Sequence, residues 1–429
     1  MEIKITFYKE TNFKETPIGK IPKDWGFTRL EKICKKVKAG GTPLTNRKEF
    51  WNGDIPFVKI EDITSTGKYL IKTKASISKS GLENSSAWMV PEGSLLLAMY
   101  GSLGEISITK IPVATNQAIL GIIPKNKEDI EFLYYWYLYF KSNWRKYAKP
   151  TTQANLTAHI VRNSIVPLPP PLERKAIAYI LSTVDKAIQK TNEIIEKTER
   201  LKKGLMQELL TKGIGHKEFK DTEIGRIPKE WKITKLRDVV QKFISGGTPS
   251  TKDPSYWNGS IPWITSAHIN KWYVDSGERY ITIEGLKNSA TNIVPKGNII
   301  IATRVGIGKA ALNLINVAIN QDLTGLIINK QLVDPEFLVW YLISPKVITL
   351  LHSFTRGTTI KGISRKDLER LRILLPPLDE QKEIARVLFT VDKKLEVEKK
   401  EKQRLEKIKQ ALMDLLLTGK VRVKVNEGA

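Results

Sequence analysis

The sequence predicts a mixed α/β protein built from two tandem copies of one globular domain, each copy followed by a long helix. Three observations carry this. A passage of unusual composition occurs twice, as "GGTPLTNRKEFWNGDIPF" from Gly40 and "GGTPSTKDPSYWNGSIPW" from Gly246. Each copy holds short apolar runs broken by Gly, Pro and Asn, the mark of buried strands joined by turns. Each copy then ends in a proline run followed by apolar residues at alternating four- and three-residue spacing, the seam of paired helices.

The repeat is long. Trp25 returns as Trp231 and Trp51 as Trp257, both 206 positions on. From Thr16 to Ile63, 21 of the 48 positions are identical to their partners at 222–269. The parallel continues with small gaps: "LENSSAWMVPEGSLLLAMYGSLG" matches "LKNSATNIVPKGNIIIATRVGIG", Asn116-Gln117 matches Asn320-Gln321, and "TTQANLT" matches "TTIKGIS". A period this long excludes the short-repeat solenoids. The boundaries that follow are 1–170 for the first globular copy, 171–215 for its helix, 216–375 for the second copy and 376–425 for the last helix.

Within each copy, "SLLLAMY", "NIIIAT" and "LTGLIIN" read as buried strands. "WNGDIP" and "WNGSIP" read as a turn feeding a strand, because Asn-Gly supplies positive φ. Segments around Glu131–Tyr147 and Glu336–His352 read as helices. Pro170 and Pro171 stand where a helix can begin but cannot extend backward. The first seam then runs through Ile177, Leu181, Val184, Ile188, Ile195, Leu205 and Leu209. The second runs through Ile384, Leu388, Val391, Leu395, Leu405, Leu412 and Leu416. At ~1.5 Å per residue each helix is a rod on the order of 55–60 Å. Thr191, Thr198 and Lys202 interrupt the first seam, and Glu398, Lys402 and Lys409 the second. Neither helix is expected to stand alone; pairing with each other is the simplest solution, and polar seam positions fix register.

Charge is the strongest bulk signal. Lys and Arg total 70 against 45 acidic residues, for a net charge of +25. Such a field attracts polyanions, nucleic acid first among them, although a lysine-rich surface adapted to heat gives the same count. Charge alone supplies affinity without sequence information. The opening "MEIKITFYKE" lacks an apolar stretch before a cleavage site, and no apolar run approaches the ~20 residues of a membrane span, so a cytoplasmic location is expected. Cys34 is the single cysteine. It allows no intramolecular disulfide and reads as a small buried apolar residue.

The order of motifs, twice over, resembles the specificity (S) subunit of Type I restriction–modification systems. The residues carrying the resemblance are "IGxIPKxW" (Ile18–Trp25, Ile224–Trp231), the "GGTP…WNGxIP" passage, "VPxG" (Val90–Gly93, Val294–Gly297), "PPLDEQKEIA" (Pro376–Ala385) and the closing Leu205–Thr211 and Leu412–Thr418 stretches. The resemblance implies that each globular copy is a target recognition domain reading half of a split double-stranded DNA site. It implies a pseudo-twofold arrangement in which the helices form an antiparallel coiled coil. It further implies a chain without catalysis that docks methyltransferase (M) subunits, two in the expected assembly, and through them restriction (R) subunits. S-adenosylmethionine, ATP and Mg would then reside on those partners, with no cofactor on this chain. The first copy departs slightly, with "PPLERKAIA" one residue short of its counterpart, which leaves the symmetry of the helix starts open.

Residues shared by the copies are expected to be scaffold, and exposed residues that differ are expected to read different DNA. The candidates in the first copy are Thr42, Lys59, Tyr100, Ser102, Asn116, Gln117, Thr151, Thr152, Gln153 and Asn155. In the second they are Thr248, Thr265, Ser266, His268, Arg304, Asn320, Gln321, Asp322, Thr358, Thr359 and Lys361. "PFVKIED" becomes "PWITSAH", and Tyr100 becomes Arg304, whose guanidinium suits guanine O6 and N7 or a phosphate. Asn and Gln can pair adenine and Asp322 can accept from cytosine N4. Thr42 and Thr248 can touch phosphate.

Enzyme readings find little. "VGIGKAA" lacks the upstream Gly and the Ser/Thr of a phosphate-binding loop. Glu173 and Glu380 sit at helix starts, where an acidic side chain suits the dipole. His159, His216, His268 and His352 lack zinc spacing. The rival is a stand-alone sequence-specific DNA-binding regulator. Apolar residues beyond the seam (Leu201, Met206, Leu210, Ala411, Met413, Leu415, Leu417) weigh against it, because they call for a partner helix bundle.

Overall fold

A computed structural model describes residues 4–147, 156–355 and 362–426. The chain divides into two compact units, one of residues 1–192 with 401–429, the other of residues 193–400. Each unit therefore contains one globular copy and halves of both long helices.

The two units repeat one sheet plan. In the first, a five-stranded sheet runs in the order Cys34–Ala39, Ile119–Pro124, Leu95–Ala98, Ile106–Thr109, Tyr69–Leu70. A four-stranded sheet runs Ala75–Ile77, Trp51–Val58, Val113–Thr115, Met89–Val90. The second unit has the same orders, through Val240–Ser245, Leu323–Ile328, Ile299–Ala302, Ala310–Asn313, Tyr273–Val274 and through Arg279–Ile281, Trp257–Ile264, Val317–Ile319, Asn292–Val294. The runs expected to be buried strands are so: every residue of Leu95–Ala98 and of Ile299–Ala302 is buried.

The Asn-Gly passages differ from the sequence expectation. Asn52 (φ 59°) and Asn258 (φ 61°) do adopt positive φ, alone among described non-glycine residues. They form a bulge inside one eight-residue strand, with the register shifting between Trp51 and Ile55 and between Trp257 and Ile261. Both sides of the bulge remain paired to the same neighbour, so the extra residues loop out. The second expected helix region of the later copy splits into Pro335–Leu342 and Pro345–Ser353, because Pro345 lacks an N–H to continue the earlier turn and begins a new one.

The long helices are Pro171–Lys212, of 42 residues, and Leu378–Leu417, of 40. Within each unit their halves run antiparallel. In the first, Ile177 and Leu181 share a core with Met413, Leu416 and Leu417, and Asp185 meets Lys409 at 2.6 Å. In the second, Met206 and Leu210 share a core with Ile384 and Leu388, Lys202 pairs with Asp392, and Glu199 meets Lys399 at 2.7 Å. Lys202 and Lys409, which interrupt the seams, are thus equivalent partners of equivalent aspartates. Asp185 also accepts from Tyr135 Oη (2.6 Å) and Asp392 from Trp272 Nε1 (3.0 Å), which ties each globular copy to the helix pair. Thr191 and Thr198 are buried, and the Thr191 hydroxyl donates back to Ala187 O (3.0 Å), which satisfies it inside the seam.

The residues expected to form an uncovered apolar face are largely covered by the chain itself. Met206, Leu210, Met413 and Leu417 are buried in the domain cores and Leu415 is half-buried, leaving Leu201 and Ala411 exposed. That face therefore does not call for a partner bundle.

The glutamates at the helix starts do more than suit a dipole. Glu173 accepts from Trp25 Nε1 (3.2 Å), from Arg422 Nε (2.8 Å) and from the Val423 amide (3.0 Å). Glu380 accepts from Trp231 Nε1 (2.9 Å), His216 Nε2 (2.8 Å) and the Ile214 amide (3.0 Å). The two glutamates lie 207 positions apart while their tryptophans lie 206 apart, so the one-residue difference falls between the tryptophans and the helix starts, which are equivalent. Among the described residues, only the first unit adds a strand pair of Lys4–Lys9 with Val421–Asn426. Arg422, 5% exposed, there also binds Glu10 (2.6 Å) and Asp24 (2.8 Å). Cys34 is buried, and burial pushes its thiol up to about 12, which makes it inert at neutral pH.

Candidate nucleic-acid interface

In each copy the candidate residues follow the C-terminal ends of three strands. In the first copy Lys59 follows Trp51–Val58, Tyr100 and Ser102 follow Leu95–Ala98, and Asn116 and Gln117 follow Val113–Thr115. In the second, Thr265, Ser266 and His268 follow Trp257–Ile264, Arg304 follows Ile299–Ala302, and Asn320, Gln321 and Asp322 follow Val317–Ile319. Hydrogen bonds tie the loops after the second and third of these strands in both copies; in the second copy they also tie in the loop after Trp257–Ile264, whereas in the first Lys59 leads into a helix, Ile60–Thr66. The Met99 amide donates to Ala118 O (2.8 Å), Thr303 N to Asp322 O (2.8 Å), Asn320 N to Ile264 O (3.1 Å) and Lys309 Nζ to Ser266 O (3.1 Å). The chain emerging from the Thr-rich loops rejoins the same edge, Leu156 N at Met99 O (3.0 Å) and Ile363 N at Thr303 O (2.8 Å). Thr151, Thr152, Gln153, Asn155, Thr358, Thr359 and Lys361 themselves lie outside the described residues.

The repeated "GGTP" brings a further loop to this edge. A Cβ on Gly40 would stand 1.9 Å from Thr115 O, and one on Gly246 would stand 2.1 Å from Asn320 O. Only glycine allows so close a backbone approach. Gly41 N then donates to Thr115 O (3.0 Å) and Gly247 N to Ile319 O (2.9 Å). The next residue arrives beside the edge: Thr42 Oγ1 donates to Gln117 Oε1 at 2.6 Å, and Thr248 Oγ1 to Gln321 Oε1 at 2.6 Å, both pairs exposed. The far side of the loop is pinned by tryptophan, Trp51 Nε1 to Leu44 O (3.2 Å) and Trp257 Nε1 to Ser250 O (3.0 Å).

The edge separates the candidates into free and committed groups. Lys59 and Arg304 are exposed, and Arg304 has no ion pair among the described residues. Tyr100 and Ser102 are half-buried, Tyr100 packing on the first core. Thr265 is held by Glu278, its hydroxyl at 2.6 Å and its amide at 2.9 Å from the carboxylate. His268 donates from Nε2 to Ser276 O (3.2 Å).

Two candidates, Ser266 and Asn320, need correction, and the bonds of Asn116 and Asp322 show how their turns are held. Ser266 is 3% and Asn320 4% exposed, so neither side chain can reach DNA without the edge opening. Asn116 and Asn320 close turns, accepting from the Ala118 (3.1 Å) and Asp322 (3.2 Å) amides, as Asn does in Asx-turns. Asp322 accepts from Asn320 Nδ2 (2.9 Å), which occupies one of its oxygens. An exposed basic loop that the candidates leave out lies between the Thr and Trp pins, carrying Arg47 and Lys48 in the first copy and Lys252 in the second. Its signal in the sequence is a differing charged stretch framed by identical residues.

Two copies of one α/β module, each presenting a polar loop edge on a strongly basic chain, define a two-module recognition protein. Comparison with known proteins gives the family. The model for the Type I restriction modification DNA specificity domain matches twice, over residues 22–200 and 228–407. The putative MjaX specificity subunit of Methanocaldococcus jannaschii is 34% identical over 438 residues, covering 99% of this chain and all of that one. The MjaVIII specificity subunit of the same organism is 32% identical over 440 residues, 99% of each chain. The EcoBI specificity subunit of Escherichia coli is 25% identical over 361 residues, covering 80% of this chain and 73% of its own. The crystal structure of a Type I S subunit from M. genitalium shares the fold with a TM-score of 0.59 at 14% identity, over 92% of this chain and 96% of that one. The chain belongs to the Type I restriction–modification DNA specificity family. It is a non-catalytic DNA-recognition subunit that assembles with other subunits of such a system. Among the described residues, no helix is long and apolar enough to cross a membrane.

Proposed function

We propose that each globular copy reads one half of an asymmetric, two-part double-stranded DNA site in the cytoplasm. The paired helices set the unread gap and dock two methyltransferase subunits, which recruit restriction subunits. S-adenosylmethionine, ATP and Mg belong to those partners. The exchangeable reading modules are residues 1–170 and 216–375, with 171–215 and 376–425 as the spacer.

One observation carries the reading. The same loop edge, held in both copies by equivalent bonds (Met99 N to Ala118 O and Leu156 N to Met99 O; Thr303 N to Asp322 O and Ile363 N to Thr303 O), presents Tyr100 in one copy and Arg304 in the other, and beside it Lys59 in one and Thr265 in the other. A constant frame with changed side chains is what two readers of different sequence require, since base-edge contacts specify and backbone contacts position. Of the candidates, Arg304, Lys59, Tyr100 and Ser102 are the base or groove contacts, while Asn116, Asn320, Thr265 and Asp322 shape the loops. On B-DNA, modules on one face sit near multiples of a turn, roughly 34–36 Å, so a rigid spacer fixes the gap.

The test is selection from random duplex DNA by the full chain with its methyltransferase partner. Two short defined blocks at one fixed separation are expected. Arg304→Ala is expected to relax one position of one block, costing about 1–3 kcal/mol of discrimination there. A single contiguous motif would favour a stand-alone regulator instead.

A further inference from the structure

We propose that Thr42–Gln117 and Thr248–Gln321 are paired, sequence-independent grips on the DNA phosphodiester backbone, one in each half-site. This rests on the DNA reading above and gives these four residues a role distinct from base recognition.

The duplication keeps these residues where it changes their neighbours. The copies differ at Lys59, Tyr100 and Glu105 against Thr265, Arg304 and Lys309, yet the exposed Thr and Gln are identical and bonded at the same 2.6 Å. A hydrogen bond between exposed side chains adds little to stability, because water competes for both groups. The fold does not need it. Besides their scaffold, two modules reading different bases keep in common what meets the common part of DNA, which is its sugar–phosphate backbone.

The polarity of the pair points the same way. An oxygen–oxygen distance of 2.6 Å fits O–H···O and is shorter than the N–H···O range, so the amide oxygen is the end facing threonine. The amide NH2 therefore faces away, as a donor. Adenine recognition by glutamine needs both ends of the amide, an acceptor for N6–H and a donor for N7. With its oxygen turned toward threonine, the glutamine presents its NH2 outward as a donor. Phosphate oxygens accept from any donor. The glycine pair places this device against the edge in both copies, with the Cβ-excluding approach of Gly40 and Gly246 described above. The four repeated letters thus form one unit: Gly-Gly for approach, Thr for orientation of the glutamine, and Pro43 and Pro249 buried beneath.

The test exploits Gln→Glu, which keeps an oxygen toward threonine and replaces the outward NH2 with a second oxygen. The full chain carrying Gln117→Glu and Gln321→Glu, with its methyltransferase partner, is titrated against two duplexes of equal length: the selected two-part site and a shuffled sequence. A control, Gln241→Glu with Gln331→Glu, places the same two charges on exposed positions at the far end of Leu323–Ile328. The expected result is a Kd raised about tenfold or more on both duplexes, with their ratio unchanged and the thermal midpoint preserved, against less than about twofold for the control. Thr42→Val with Thr248→Val, which frees the amide to rotate, is expected to weaken both duplexes by a smaller common factor. Unchanged binding by the Gln→Glu protein overturns the grip. So does a loss confined to the selected duplex, which would make the glutamines base readers. The wild-type ratio between duplexes separately tests the DNA reading; if it is one, that reading fails while the loss on shuffled DNA still reports the grip.

Discussion

Arg422 shows what a single residue holds in this chain. It is buried and faces three carboxylates, Glu10, Asp24 and Glu173, with Glu173 also bonding Trp25. A buried charge stripped of its partner is costly, so Arg422→Ala is expected to destabilise by about 3–5 kcal/mol in denaturant unfolding. The guanidinium beside Asp24 holds its carboxyl below the usual carboxylate range. A depressed carboxyl contributes stability above its unfolded value and loses it as pH falls through the folded one. The wild type is therefore expected to lose stability below about pH 4 more steeply than Arg422→Ala, a difference read from midpoints across pH; parallel curves would contradict it. At Gly40, alanine would drive its Cβ against Thr115 O, and a loss of about 1–3 kcal/mol is expected in the same unfolding measurement. This scale is the least legible from sequence. The "GGTP" glycines announce a constraint, but the glutamine that completes their unit lies 75 positions from Thr42, and nothing local marks "VRVKV" as the site of a buried arginine.

The long helices are legible as elements because their signals are local: a proline start, then apolar spacing of four and three. The partners of their polar interruptions are not, since Lys409 meets Asp185, far along the chain and outside the apolar rows. Lys202 with Asp392 repeats the device. Asp185→Ala and Lys409→Ala should couple in a double-mutant cycle by about 0.5–3 kcal/mol, the double mutant losing less than the sum of the singles. Strict additivity would show that the pair does not set the register. The "WNG" bulge belongs to the same scale. Asn-Gly correctly signals a positive φ, but whether such a kink ends a strand or swells it depends on the neighbour strands, Ala75–Ile77 and Arg279–Ile281, which pair on both sides of it.

For the whole molecule the duplication is the governing fact. It makes the two-module architecture readable from the letters alone, because each copy checks the other. It also locates the loop edge, since most candidates are differences inside recurring frames and three strand ends bring them together. What the copies cannot reveal is burial, which removes Ser266 and Asn320 from the surface. On this reading the chain dictates which DNA sequence its system modifies, one half per module. Methylome sequencing decides it, in cells making the partner methyltransferase with the chain, without it, and with residues 1–170 exchanged for those of a relative. A two-part methylated motif is expected that appears only with the chain and changes in one half alone after the exchange. Methylation independent of the chain, or an exchange that alters both halves or neither, would contradict it.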